Sequence, residues 1–324
     1  MKKIFYLFSL IGLLSATSLS AQEREYSFQE NYDMQSNPSL KIQVNDGFID
    51  VYPSNTNKIQ VNYIVKRRGH LVSMNRKELE KYVDVDVVHS ARSLEIEIRR
   101  NKDAFWSNWN DRYHVSFEIL VPKTTACDLK SSDGNIYLKG LEASQICKTS
   151  DGDIDISFVK GDVKGTTSDG NIFANEIFGF TDLKTSDGDV KVKNIIGESS
   201  LVSSDGNIDA FNTKGVAYAH TSDGNITFDD LKGSLKAETS DGHIKGSIVE
   251  LYGTLDLRTS DGDIDLIIPN GLGLDLDLRG ERISVDLDDY RRNTNKKKLL
   301  GTVNRGGVLV SLRSHDGKIS LRGQ

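Results

Sequence analysis

Eight aspartates occupy identical surroundings in this chain. Ser-Asp-Gly places them at Asp133, Asp151, Asp169, Asp187, Asp205, Asp223, Asp241 and Asp261, at intervals of 18 residues and a last interval of 20. Carboxylates repeated along one edge are suited to one chemistry, the ligation of a hard cation such as Ca²⁺ through oxygen. If the rungs of that edge are about 5 Å apart, neighbouring carboxylates repel by roughly 0.8–3 kcal/mol per pair at effective ε of 80 down to 20. A bridging cation would relieve this repulsion, and so would a turn that leaves each carboxylate in water. The repeat lacks the Gly-Gly-x-Gly-x-Asp pattern of calcium β-rolls. Ser or Thr also stands before every Ser-Asp-Gly, offering hydroxyls in place of a metal. The expectation is turn-building aspartates and no resident cofactor, with Ca²⁺ at these eight residues as the sharper alternative.

Other chemistry is sparse. The chain has no His-Glu-x-x-His, Cys-x-x-Cys, Gly-x-Ser-x-Gly or phosphate loop, and its six histidines show no metal-ligand spacing. Asp153, Asp155, Asp189, Asp209, Asp263 and Asp265 could supply an acid/base pair of the kind that polysaccharide-cleaving β-helices need. Yet Asn135, Asn171, Asn207 and Asn225 share a repeat position with some of them, whereas a catalytic pair departs from the repeat around it. No catalytic residue is assigned. The chain reads as non-enzymatic, and a polysaccharide lyase or hydrolase is the alternative. Trp106, Trp109 and Tyr113, with Phe105 beside them and Lys102 and Arg112 interleaved, are the candidate contacts for a glycan or partner. Their plainer role is to pack a cap onto the array. The basic run from Arg291 to Lys298 reads as a solvated hairpin tip, or as a patch for anionic lipid or surface polysaccharide. Cys127 and Cys147 share inward parity in neighbouring coils but are offset by two residues. That offset, ~7 Å along the strand plus the coil spacing, exceeds the ~4.4–6.8 Å a disulfide spans, so two buried free thiols are expected.

The elements that position these residues follow from aligning the repeat on its glycine. Two residues on stand Ile136, Ile154, Ile172, Val190, Ile208, Ile226, Ile244 and Ile264. Five residues before stand Leu129, Cys147, Gly165, Leu183, Leu201, Ala219, Ala237 and Leu257. Polar residues alternate with them, the period-2 signature of strands with one buried face. A second glycine follows nine residues later, at Gly161, Gly179, Gly197, Gly215 and Gly233. Each unit thus holds two strands and two turns, with Asp-Gly expected to supply positive φ. The Ser/Thr at Ser131, Thr149, Thr167 and their equivalents is placed at the inner corner, its hydroxyls bonding one another along the column. One unit cannot bury its apolar face, and stacking does. The fold expected is all-β, a single-stranded β-helix or β-solenoid with ~18-residue coils, right-handed favoured, eight coils spanning roughly 35–40 Å. A β-sandwich, the runner-up, does not repeat identical turns at a fixed period.

The organisation read from the chain begins with a signal peptide over residues 1–21, with Lys2 and Lys3 before an apolar run too short for a bilayer span. A β-rich N-terminal capping region covers residues 22–122, with strands and a helix from Asn75 to Tyr82. The Ser-Asp-Gly solenoid covers residues 123–269, and irregular C-terminal coils cover residues 270–324. Degenerate motif copies at Asn45-Asp46-Gly47 and His315-Asp316-Gly317 flank the array. Repeated Ser-Asp-Gly-(Asn/Asp)-Ile, the strand ending in Val121-Pro122, and the closing Gly306-Gly307 and Ser314-His315-Asp316-Gly317-Lys318-Ile319 resemble the bacterial putative-adhesin β-strand-repeat family. The resemblance runs over roughly residues 38–324. It implies a β-helix and a domain of unknown function, and it brings no catalytic residues. With 324 residues, net charge −6, 37% hydrophobic residues and no second long apolar run, the chain is neither a helical membrane protein nor a nucleic-acid binder. The expectation is an exported protein, periplasmic or at the cell surface, that binds an envelope or surface component, protein or polysaccharide.

Overall fold

A computed structural model describes residues 25–100, 112–288, 290–294 and 297–324. Its regular structure is strands and one four-residue helix, and the strands join in one continuous hydrogen-bonded sheet. Within the array each strand pairs in parallel with its equivalent in the next coil, 18 residues on and, at the last step, 20. Ile154 opposes Ile136 and Ile172, and the ladder runs on through Val190, Ile208, Ile226 and Ile244 to Ile264. All eight of these side chains are buried to within 1%. A second ladder carries Leu129, Cys147, Gly165, Leu183, Leu201, Ala219, Ala237 and Leu257 inward against the first. Both thiols are buried and free, and Cys147 pairs in register with Leu129 rather than Cys127. Burial raises the pKa of both cysteines.

The corners differ from the expectation. The motif glycines are not at positive φ. They are glycines because the coils touch there: a Cβ on Gly170 would lie 1.9 Å from the carbonyl oxygen of Gly152. Positive φ falls instead at the second glycine, as at Gly179 with φ 158°. It also falls at a third bend, where Phe158, Glu176, Asn194, Asn212 and Asp230 adopt φ between 49° and 58°. These five coils therefore have three bends, not two. The inner hydroxyls do not bond one another either. Thr167 Oγ1 donates toward the Ser150 and Gly152 carbonyls of the preceding coil, 3.0 Å each, and accepts from the Gly170 N–H at 3.3 Å. This satisfies buried backbone groups that the turn leaves open.

Both ends stack out of sequence order. Ile49 and Phe117 extend the isoleucine ladder beyond Ile136. At the far end Ile264 meets Ile319, and Ile319 meets Ile283. The degenerate motif copies are thus true rungs: Gly134 packs on Gly47, and Gly317 on Gly262. The segment between Gly262 and Gly317 does not continue the stack in order. The last strands of the chain, Val308–Ser314 and Lys318–Gly323, insert beneath it. Antiparallel strands finish each end: Phe28–Asp33, Lys58–Arg67 and Val83–His89 at one, Tyr290–Thr294 and Lys298–Val303 at the other. Much of the basic run is therefore strand, not hairpin tip: residues 291–294 pair with Arg282–Leu287. The helix is shorter than expected, Arg76–Leu79, held by a capping box between Asn75 and Glu78. Strands Phe28–Asp33 and His70–Leu71 had no sequence signal strong enough to place them. Among the described residues no helix is long and apolar enough to cross a membrane. The signal segment lies outside them.

Candidate functional site

The motif aspartates form one row. Parallel pairing fixes it, since Ser168 N–H and Asp169 N–H both donate to the Ser150 carbonyl one coil back, 2.9 Å each. All eight carboxylates are exposed. Asp133, at the start of the row, has its pKa raised by partial burial and then by its neighbours Asp46 and Asp151. Among the described residues no group of three or more His, Cys, Asp or Glu is arranged to hold a metal ion.

The residue after the motif glycine forms a different ladder, which sequence reasoning did not resolve. Asn135 Oδ1 accepts the Asp153 N–H at 2.9 Å, and Asp153 Oδ1 accepts the Asn171 N–H at 2.8 Å. Asn171, Asp189, Asn207 and Asn225 each accept from the next coil at 2.9 Å. His243 Nδ1 accepts the Asp263 N–H at 2.9 Å, and Asp263 accepts the Lys318 N–H at 2.7 Å. The mixture of Asn, Asp and His at this position has one cause: each presents an acceptor at the same reach. Several carboxylates that could have served as acid/base residues are thereby engaged. Burial pushes Asp189 up, but the Asn207 N–H and the Lys191 ammonium outweigh it and its pKa is lowered. Asp265 pairs with Arg322 at 2.7 Å. Asp155 is half-buried, and burial raises its pKa.

Of the aromatic cluster, Tyr113 is described. It is half-buried and stacks on Tyr82 at 4.2 Å between ring centroids, with the Arg67 guanidinium 5.3 Å from its ring. Phe105, Trp106, Trp109 and Lys102 lie outside the described residues.

A line of apolar side chains at the second corner was missed by the sequence reading. Phe178, Phe180, Ile196 and Val216 are 41–56% exposed, flanking Gly179, Gly197 and Gly215. Phe178 and Ile196 are register partners in adjacent coils. Phe158 and Phe211 are exposed as well, each with a lysine of the neighbouring coil over its ring, Lys139 at 5.2 Å and Lys193 at 5.5 Å. The available signal was an aromatic next to the corner glycine, where other coils carry Lys160, Asp162, Lys214 or Glu198. A shallow depression elsewhere, lined by Pro269, Asn270, Leu272, Leu287, Asp288 and Asn304, holds one titratable group, Asp288.

A family model described as Toastrack DUF4097 matches residues 37–222 and 217–322. No curated protein matches the chain. A solved structure described as a putative adhesin from Bacteroides fragilis is 15% identical, covering 74% of this chain and 96% of its own, with a TM-score of 0.44. Another, described as a putative cell adhesion protein from Clostridium sporogenes, is 10% identical, covering 92% of this chain and 99% of its own, with a TM-score of 0.23.

Proposed function

The chain belongs to the Toastrack DUF4097 family, and from that premise we propose that it is an exported, non-enzymatic β-solenoid that binds a component of the cell envelope or surface. In this reading the signal peptide of residues 1–21 delivers it to the periplasm or the cell exterior. Residues 22–122 and 270–324 cap a right-handed array of 18-residue coils over residues 123–269. The partner is a protein or polysaccharide, and no metal or cofactor takes part.

The observation that carries the reading is the exposed apolar line at Phe178, Phe180, Ile196 and Val216. Phe178 and Ile196 are register partners, with Phe180 and Val216 across the corner glycines of their own and the following coils, and exposed apolar side chains grouped on a rigid lattice support a contact surface. Parallel hydrogen bonding on both sides fixes the rungs at ~4.8 Å, so the row is presented without an ordering cost.

The test is retention of the protein on solubilised envelope fractions, compared with a Phe178→Ser/Phe180→Ser/Ile196→Ser variant whose melting temperature is checked in parallel. The reading expects retention that the variant loses while staying folded. Equal retention of both proteins would refute the apolar line as the contact. Release of reducing or unsaturated ends from polysaccharide substrates would overturn the non-enzymatic assignment.

A further inference from the structure

Out-of-order stacking at the C-terminal end assembles a row of charge that the sequence does not display. The residue four before each motif glycine points outward from the second ladder. Register pairing places Lys130 beside Lys148, Thr166 beside Lys148, and Lys184 beside Thr166. Farther on, Arg258 meets Arg313, Arg313 meets Arg279, and Arg279 meets Lys298. Val202, His220 and Glu238 bridge the two halves, while Gln43 and Glu97 lead into the first. Seven of these thirteen rungs are therefore Lys or Arg and two are Glu, in a chain of net charge −6. In sequence order the last four would run 258, 279, 298, 313, separated by 15 to 21 residues.

The cations of the row differ in how their charge is met. Arg258 is held by Asp256 at 2.8 Å, and Arg279 and Arg313 share Asp277 at 3.2 and 3.3 Å. Lys130, Lys148, Lys184 and Lys298 are exposed and have no carboxylate within ion-pair distance among the described residues. Like charges one rung apart repel. A row that keeps them without counter-charges suits a ligand that brings its own. The motif aspartates run parallel, three residues farther along each coil, and limit an anion to single file on the basic row.

We propose that this row, distinct from the apolar corner, is a binding track for a linear anionic polysaccharide carrying about one carboxylate per sugar. The rungs rise ~4.8 Å each and the row extends on the order of 55–60 Å, so a polymer with regular charge spacing can engage many rungs at once. Multivalent engagement of this kind turns weak single contacts into avidity. It also makes binding fall steeply with salt as condensed counterions are released.

The full-length protein should bind polygalacturonate, and not neutral dextran, in a co-sedimentation or biolayer assay at 0.15 M salt, with affinity rising from short oligomers to long chains. Lys130→Gln/Lys148→Gln/Lys184→Gln should weaken binding at least tenfold. A control variant, Lys160→Gln/Lys214→Gln/Lys232→Gln, removes equal charge from the apolar-corner side and should change it less than twofold. Equal losses in the two variants would reduce the effect to bulk charge and overturn the track. So would the absence of polygalacturonate binding, or tighter binding to phosphatidylglycerol vesicles that is abolished by the same Lys130 variant. Retention on envelope fractions through the apolar corner would survive any of these failures, so the two proposals fall separately.

Discussion

The same substitution at two glycines of one coil pair should be costly at one and nearly silent at the other. Gly188 is a motif glycine, and a Cβ there would sit 2.0 Å from the Gly170 carbonyl oxygen. Restoring ordinary contact requires the coils to part by more than about 1 Å, and the interior has no slack to absorb that. The bonds crossing the corner are Ser186 N–H and Asp187 N–H to Ser168 O at 2.9 Å, Thr185 Oγ1 to Gly170 O at 2.9 Å, and Asp189 N–H to Asn171 Oδ1 at 2.9 Å. Stretched by about 1 Å, all four leave hydrogen-bond range. At roughly 1 ± 0.5 kcal/mol each, more where a buried group is left unsatisfied, Gly188→Ala should cost about 3–5 kcal/mol. Gly165 faces the core at ordinary φ, and its Cβ would meet a movable atom, Leu183 Cδ2, at 2.9 Å. Lower chain entropy and a buried methyl favour Gly165→Ala by about 1–2 kcal/mol, and the Leu183 rotamer shift returns about 0.5–1.5 kcal/mol. That variant should stay within about 1 kcal/mol of the parent. Urea unfolding followed by far-UV circular dichroism separates the two midpoints. Equal losses, or a silent Gly188→Ala, would refute the claim that close approach rather than backbone conformation selects the motif glycine.

Three further outcomes follow from the same lattice. Glu176 stands in the left-handed region at φ 55°, so Glu176→Asn should raise stability by about 0.5–1 kcal/mol, read from the unfolding midpoint. His243→Asn should preserve the acceptor ladder to Asp263 and stay near neutral, whereas His243→Ala should cost about 1 kcal/mol, compared by the same assay. If the motif aspartates only build turns, melting temperature should differ by under about two degrees between chelator and millimolar calcium. A single site with Kd ~10 μM would add about 2.7 kcal/mol at 1 mM calcium and shift melting by several degrees.

The buried columns were legible because two periods coincide. Side chains alternate every second residue, and the unit recurs every 18, so Ile154, Ile172 and Val190 could only face one interior. Their complete burial follows. The reason for each glycine was not legible. A glycine signals either positive φ or a close neighbour, and the letter does not say which. Gly170 proved to be the second kind alone, and Gly179 both at once, with φ 158° and a Cβ that would lie 2.4 Å from the Gly161 carbonyl oxygen. The third bend was overlooked although Asn194, Asn212 and Asp230 favour it, because Phe158 and Glu176 at the same repeat position do not. Stacking against neighbours that bend at the same rung overrides their preference. The Asn/Asp/His alternation after the motif was visible as a pattern but read as scattered carboxylates, because the shared acceptor role emerges only when the next coil's N–H is in place.

The residues that build the repeat and those free to vary from coil to coil therefore occupy different positions. The inner hydroxyl, the motif glycine, the acceptor beyond it and the isoleucine are each fixed by a contact to the next coil, as Thr167, Gly170, Asn171 and Ile172 illustrate. A residue tied to its own scaffold in every coil has little freedom to discriminate among partners. The outward rungs vary in type from coil to coil and only some are tied by ion pairs, as Lys160 is to Glu142: one such row passes from Lys160 through Phe178 and Ile196 to Lys214, another from Lys184 through Val202 to His220. On the proposed reading specificity is written in those rows, and a row is composed by stacking order rather than chain order. The insertion of Val308–Ser314 beside the strand that ends at Thr259 brings Arg258, Arg313 and Arg279 onto successive rungs. The C-terminal rearrangement that closes the array thus also sets the charge of the surface the array presents.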